Sequence, residues 1–153
     1  MSNTNNLLMN APFLSAFFAC LIAQFIKPII SLIVGEKFDI KRAVSTGGMP
    51  SSHTATVIAL TTTIAIQYGI GSTYFAISAV FGTIVIHDAM GIRKEAGKQA
   101  ELMNEWSRLF TEIHEEGQFT QANLKTMLGH SFSQVFFGII LGIVVGIITP
   151  YFF

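Results

Sequence analysis

Four apolar runs, Ala11 to Val34, Thr54 to Ile70, Thr73 to Ile86 and Ser131 to Phe153, constrain this chain more than any other feature. A helix needs about 20 mostly apolar residues to cross a hydrocarbon core, so the first and last runs are long enough and the middle two come close. In water, Phe-rich runs without a polar face need several covering layers, and 153 residues cannot supply them. Composition agrees, with 51% hydrophobic and only 12% charged residues. The expected fold is therefore all-α: a polytopic membrane helical bundle of four transmembrane helices, forming a single domain over residues 1–153. No basic region precedes the first run and no small-residue cleavage site follows it, so it is expected to stay as a helix. Cys20, the single cysteine, lies among apolar residues and can form no internal disulfide.

Charge placement adds an orientation. Every Lys, Arg, Asp and Glu lies between Lys27 and Lys125. The loop after the first run carries Lys37, Lys41 and Arg42, and the third loop carries Arg93, Lys94, Lys98, Arg108 and Lys125. With four spans both loops fall on one side, which the positive-inside rule makes cytoplasmic, leaving both termini outside. A bacterial cytoplasmic membrane is the expected location, with no nucleic-acid partner.

Between the third and fourth runs, Ala96, Ala100, Met103, Trp106, Phe110 and Ile113 recur every three or four residues over Arg93 to Ile113. This spacing predicts one amphipathic cytoplasmic helix, suited to the membrane surface or to docking over the ends of the spans, with Trp106 as an interfacial anchor. Glu115 to Gln121 reads as a loop before a short helical turn leading to Gly129 and His130. Gly138, Gly142 and Gly146 form a small-residue stripe on the last run, expected to pack against another helix within or between subunits. Four spans make a thin wall around a polar pocket, so contacts between copies in a homo-oligomer are expected, with the stripe as a candidate surface.

The segment Gly47-Gly48-Met49-Pro50-Ser51-Ser52-His53-Thr54-Ala55 places paired glycines, two hydroxyls and an imidazole at the start of an apolar helix. A helix N-terminus offers unpaired N–H groups and the positive end of its dipole, so this is a phosphate site in outline. Ordinary capping by Ser51 or Ser52 with Pro50 in the first turn is the plainer alternative. Lys27 lies inside the first apolar run with Gln24 and Ser31 on its helical face, and a buried cation is costly unless it meets a polar cavity. The alternative is a lysine reaching along its stem to the interface. Asp88, Gly91 and Arg93 leave the third run together, combining an acid with a guanidinium suited to phosphate. Either charge alone is also a simple membrane-boundary marker. His130 enters the last run with Gln134 four residues on, where the amide can orient the ring; a cap-region histidine without chemistry is the alternative. Four-span topology brings these groups to one membrane face.

These motifs, with Gly97-Lys98-Gln99-Ala100, Leu102-Met103-Asn104 and Leu128-Gly129-His130, resemble the divergent branch of the type 2 phosphatidate phosphatase and vanadium-dependent haloperoxidase superfamily over nearly the whole chain. In the main superfamily a Pro-Ser-Gly-His segment binds phosphate and supplies an acid, and a second His, followed four residues later by Asp, is the nucleophile. Here Ser52 stands for that Gly and Gln134 for that Asp. The motif arginines are absent in register: Val34 and Gly35 stand seven and eight residues after Lys27, and Asn123 and Leu124 stand seven and six before His130.

The resemblance implies a membrane phosphatase for a lipid phosphate or diphosphate, isoprenoid or glycerolipid, working without a cofactor or metal. His130 is then the nucleophile and His53 the acid and base. Lys27, Ser51 and Ser52 bind phosphate and Gln134 orients; beyond the resemblance, Arg93, with Arg42 as an alternative, is expected to replace the missing motif arginines in binding phosphate, and Asp88 to replace the missing carboxylate in supporting a histidine. Two other classes are open: a noncatalytic membrane protein binding an anionic headgroup or partner, and a metal site built from His53, Asp88 and His130.

Overall fold

The computed structural model describes residues 7–33, 48–113, 124 and 131–153. After a short 3-10 turn at Leu7–Met9 come α1 (Ala11–Ile33), α2 (Ser52–Tyr68), α3 (Thr73–Met90), α4 (Ile92–Ile113) and α5 (Phe132–Ile148), and Thr149–Tyr151 closes as a 3-10 turn. Among the described residues every element is helical. The expected loop and turn over Glu115 to Gln121, with Gly129, lies outside the described residues.

Three stretches are long and apolar enough to cross a membrane: Ala11–Ile33, Thr73–Phe110 and Phe132–Tyr151. The helix α2 is not among them. It has 17 residues, five of them threonine, and it occupies the centre of the bundle in contact with α1, α3 and α5. Its N-cap is Ser51, whose Oγ accepts from Thr54 N at 3.3 Å. At its other end Gly69, with φ +80°, turns the chain into Ser72, the N-cap of α3. That turn is short, so α3 returns antiparallel along α2.

The helices pack by small residues. Ala19, Ala23, Ala55, Ala59 and Val145 form the central cluster, flanked by Phe18 and Leu141. The glycine stripe of α5 lies on α2 within the same chain. A Cβ on Gly138 would sit 2.8 Å from Ser51 O, on Gly142 2.7 Å from Ala55 O, and on Gly146 2.7 Å from Thr62 Cβ. This answers the expectation of packing within or between subunits in favour of the former, and the stripe is not free to meet another copy. Hydroxyls tie α2 to two neighbours, since Thr63 Oγ1 donates to Gly146 O of α5 at 2.9 Å and Ser15 Oγ of α1 lies 3.3 Å from Ala59 O.

The distribution of side chains is inverted relative to a water-soluble protein. Lys27, Thr54, Thr63, Ser15 and Ser51 are the largest fully buried side chains, while Phe13, Phe25, Ile29, Ile77, Phe81, Ile84 and Phe136 are exposed. A shell of large apolar groups around a core of small and polar ones is what lipid as the outer solvent selects. The helix α4 follows α3 after Gly91 and, of the other described helices, touches only α3.

Candidate functional site

Four helix ends meet at one pole of the bundle. The last turns of α1 bring Lys27, the first turn of α2 brings Ser52 and His53, the last turn of α3 brings Asp88, and α5 begins beside them. The α2 and α5 N-termini are pinned directly, because Ser51 N donates to Gln134 O at 2.9 Å. Gly138, one turn further along α5, permits this approach by leaving no Cβ against Ser51 O and Thr54.

Lys27 is the centre of the arrangement. It is 2% exposed, and its Nζ donates to Gln24 Oε1 at 3.0 Å and to Ser52 Oγ at 3.3 Å. The side chain therefore runs inward to the start of α2 and does not reach along the surface. Pro28 follows it, removing the N–H that would bond the Gln24 carbonyl and loosening the helix at the site. Gly48, with φ +95°, covers the lysine stem: a Cβ there would lie 3.6 Å from Lys27 Cδ, and the left-handed backbone conformation favours glycine. A cis Met49–Pro50 peptide then leads into Ser51.

The two serines divide the work of the segment. Ser51 is fully buried and caps α2, its Oγ also accepting from Thr54 Oγ1 at 3.0 Å. Ser52 turns to the lysine. The expected cap is therefore Ser51, and the second hydroxyl is left to contact Lys27. Thr54 is a further polar residue of this turn, and with no Glu or Gln at that position the sequence carries no capping-box signal for it.

His53 is half-buried in the same first turn, and Asp88 is half-buried near the end of α3. The structure thus brings Lys27, Ser52 and Gln24 into contact, with Ser51 and His53 adjoining and Asp88 at the same pole. Gln134 serves as N3 of a capping box at α5: Ser131 N donates to Gln134 Oε1 at 3.2 Å, and Gln134 N donates to Ser131 Oγ at 3.4 Å. His130 and the side chain of Arg93 lie outside the described residues, as does Arg42. Among the described residues, no three His, Cys, Asp or Glu side chains gather as metal ligands.

A lipid-exposed helical bundle that buries a lysine against serines at one pole defines a class, an integral membrane protein with a polar site inside its apolar envelope. More narrowly, the chain belongs to the divergent PAP2 family, whose pattern matches residues 8–145. It is 43% identical over 155 residues to YuiD of Bacillus subtilis (strain 168), described as an uncharacterized membrane protein, covering 96% of this chain and 98% of that one. No solved structure matches it significantly.

Proposed function

We propose that this protein hydrolyses a lipid phosphate or diphosphate at the membrane boundary through a phosphohistidine intermediate. The observation that carries the reading is the buried Lys27 ammonium held at Ser52 beside the N-terminus of α2. A cation, a hydroxyl and the positive end of a helix there offer an anion three kinds of stabilisation in a low-dielectric setting. His130 attacks phosphorus as the P–O bond to the lipid breaks, and His53 delivers a proton to the departing oxygen. His53 then takes a proton from the water that cleaves the P–N bond, releasing inorganic phosphate and restoring His130. Lys27, Ser52 and Arg93 hold the phosphoryl oxygens, Ser51 fixes the α2 N-terminus that faces them, and Asp88 supports a protonated imidazole.

In this reading α2 is a fourth span, short because its threonines are shielded by α1, α3 and α5. The helix α4 is the amphipathic surface helix. The basic loops put the site on the cytoplasmic side and both termini outside.

Phosphate release from isoprenoid and glycerolipid phosphates by the purified protein tests the proposal. Turnover is expected to fall by about 10²- to 10⁴-fold in His53→Ala, the range of general acid–base contributions, and to vanish in His130→Ala. Unchanged turnover in both variants refutes the mechanism.

A second reading is favoured by Gln134. Its amide oxygen is engaged by the α5 cap, and a neutral side chain gives an imidazolium no charge support. The pocket would then bind an anionic headgroup without turnover. Lipid phosphate binding that depends on Lys27, with no phosphate released across the panel, selects this reading.

A further inference from the structure

Asn104 makes a contact that the proposed chemistry does not use. Its Nδ2 donates to Leu124 O and its Oδ1 accepts from Leu124 N, both at 2.9 Å, across 20 residues of sequence. One side-chain amide thereby satisfies both main-chain polar groups of Leu124. In contact with hydrocarbon such groups must be satisfied within the protein, so the pairing renders this piece of backbone compatible with an apolar ligand.

Leu124 in turn forms one wall of a cleft of about 720 Å³, whose other apolar walls are Leu102, Met103, Trp106 and Phe110 of α4. These four recur at helical spacing on one face, and Trp106 is 62% exposed. The volume falls in the range of about 300–1,000 Å³ typical of small-molecule sites. The described lining residues carry no charge. The helix α4 begins two residues after α3 ends, and Thr73–Phe110 is apolar enough to include a membrane span. Exposed Ile77, Phe81 and Ile84 give α3 an apolar surface suited to lipid, and α4 joins α3 through Gly91, so the cleft lies on the helix that leaves this apolar stretch.

We infer that this cleft is a binding site for one hydrocarbon chain, acyl or prenyl, of a membrane lipid. Only the identity of the headgroup rests on the lipid-phosphate reading above. Asn104 acts as a positioning residue, holding Leu124 as the cleft's far wall.

Trp106 is the only tryptophan in the chain, so its emission reports on the cleft directly. The full-length protein in detergent micelles is titrated with phosphatidic acid brominated on its acyl chains. Saturable quenching is expected, reaching at least twofold, reversed by unbrominated phosphatidic acid and by a polyprenyl phosphate. Asn104→Ala should raise the half-saturating concentration at least fivefold, while Leu109→Ala, outside the cleft, leaves it unchanged. Quenching that rises with the brominated fraction without saturation or competition would mean that Trp106 merely sits in the micelle, and would overturn the inference. Emission that follows protein concentration and ignores lipid would assign the cleft to a second copy and overturn it equally. Both of these results are measured on the unmodified protein, so a variant that fails to fold leaves the test intact. Saturable quenching without phosphate release contradicts the catalytic reading alone; phosphate release with unsaturable quenching contradicts the cleft alone.

Discussion

Lys27 separates binding from folding at the scale of a single residue. Replacing Lys27 by an apolar side chain of similar length relieves the burial of a charge and gives up its hydrogen bonds to Gln24 and Ser52, two terms that oppose each other. Lys27→Met should therefore keep its unfolding midpoint in detergent within a few degrees of wild type while losing at least about 100-fold in phosphate release, the scale of one lost charge-stabilising donor. A variant that is unstable but active would make Lys27 a structural residue. The neighbouring serines predict opposite patterns. Ser51→Ala removes the α2 cap and should cost about 1 kcal/mol of stability, whereas Ser52→Ala, which leaves that cap intact, should lower turnover with a smaller change in stability. Equal effects of the two on both measurements would refute this division. The site's residue types were visible in the sequence, but their assignment was not. Two adjacent serines at a helix start are interchangeable on paper, and only backbone geometry shows which caps and which meets the lysine.

Among the elements, the seam between α2 and α5 predicts a contrast between the glycine stripe and a glycine of the α2–α3 turn. Adding a methyl at Gly142 or Gly146 drives it against backbone and a β-branched side chain, so Ala at either position should cost about 1–3 kcal/mol, as overpacking does. At Gly71, where no atom approaches within 4 Å, Ala should change stability by less than about 0.5 kcal/mol. Chemical unfolding in mixed micelles measures both, and equal losses at Gly71 and Gly142 would contradict the packing. The starts of α1 at Ala11 and α3 at Thr73 were legible because apolar runs open there. The helix α2 starts two residues earlier than its run, at Ser52, since a serine cap lies outside the apolar pattern. The helix α3 continues past Ile86 to Met90, since His87 and Asp88 are polar without breaking a helix and Gly91 stops it. Spacing identified a packing face in the glycine stripe, but periodicity carries no information about the partner, which is α2.

For the whole molecule, the proposed four-span topology places the Gly69–Ser72 turn and α4 on opposite sides of the membrane. With Cys20 replaced by Ser, an impermeant thiol reagent should reach Ser72→Cys from outside intact cells and Lys98→Cys only after lysis. Labelling of both from one side would mean that α3 does not span. Length and hydropathy made the membrane environment plain, yet they rank α2 poorly because its threonines depress its apolar character. Thr54, Thr56 and Thr61 spend their hydroxyls on the helix's own cap and carbonyls, while Thr63 donates to Gly146 O of α5, a pairing that exists only in the assembled bundle.

Trapping the covalent intermediate is the most direct test of the central claim, that this pole of the bundle transfers phosphate through a histidine. The protein is mixed with lipid phosphate carrying radiolabelled phosphorus and quenched within milliseconds to seconds. The account predicts an acid-labile, alkali-stable label on the wild-type chain, mapping to His130, and no label on His130→Ala. Steady phosphate release with no label on the wild type, or label persisting in His130→Ala, would contradict it.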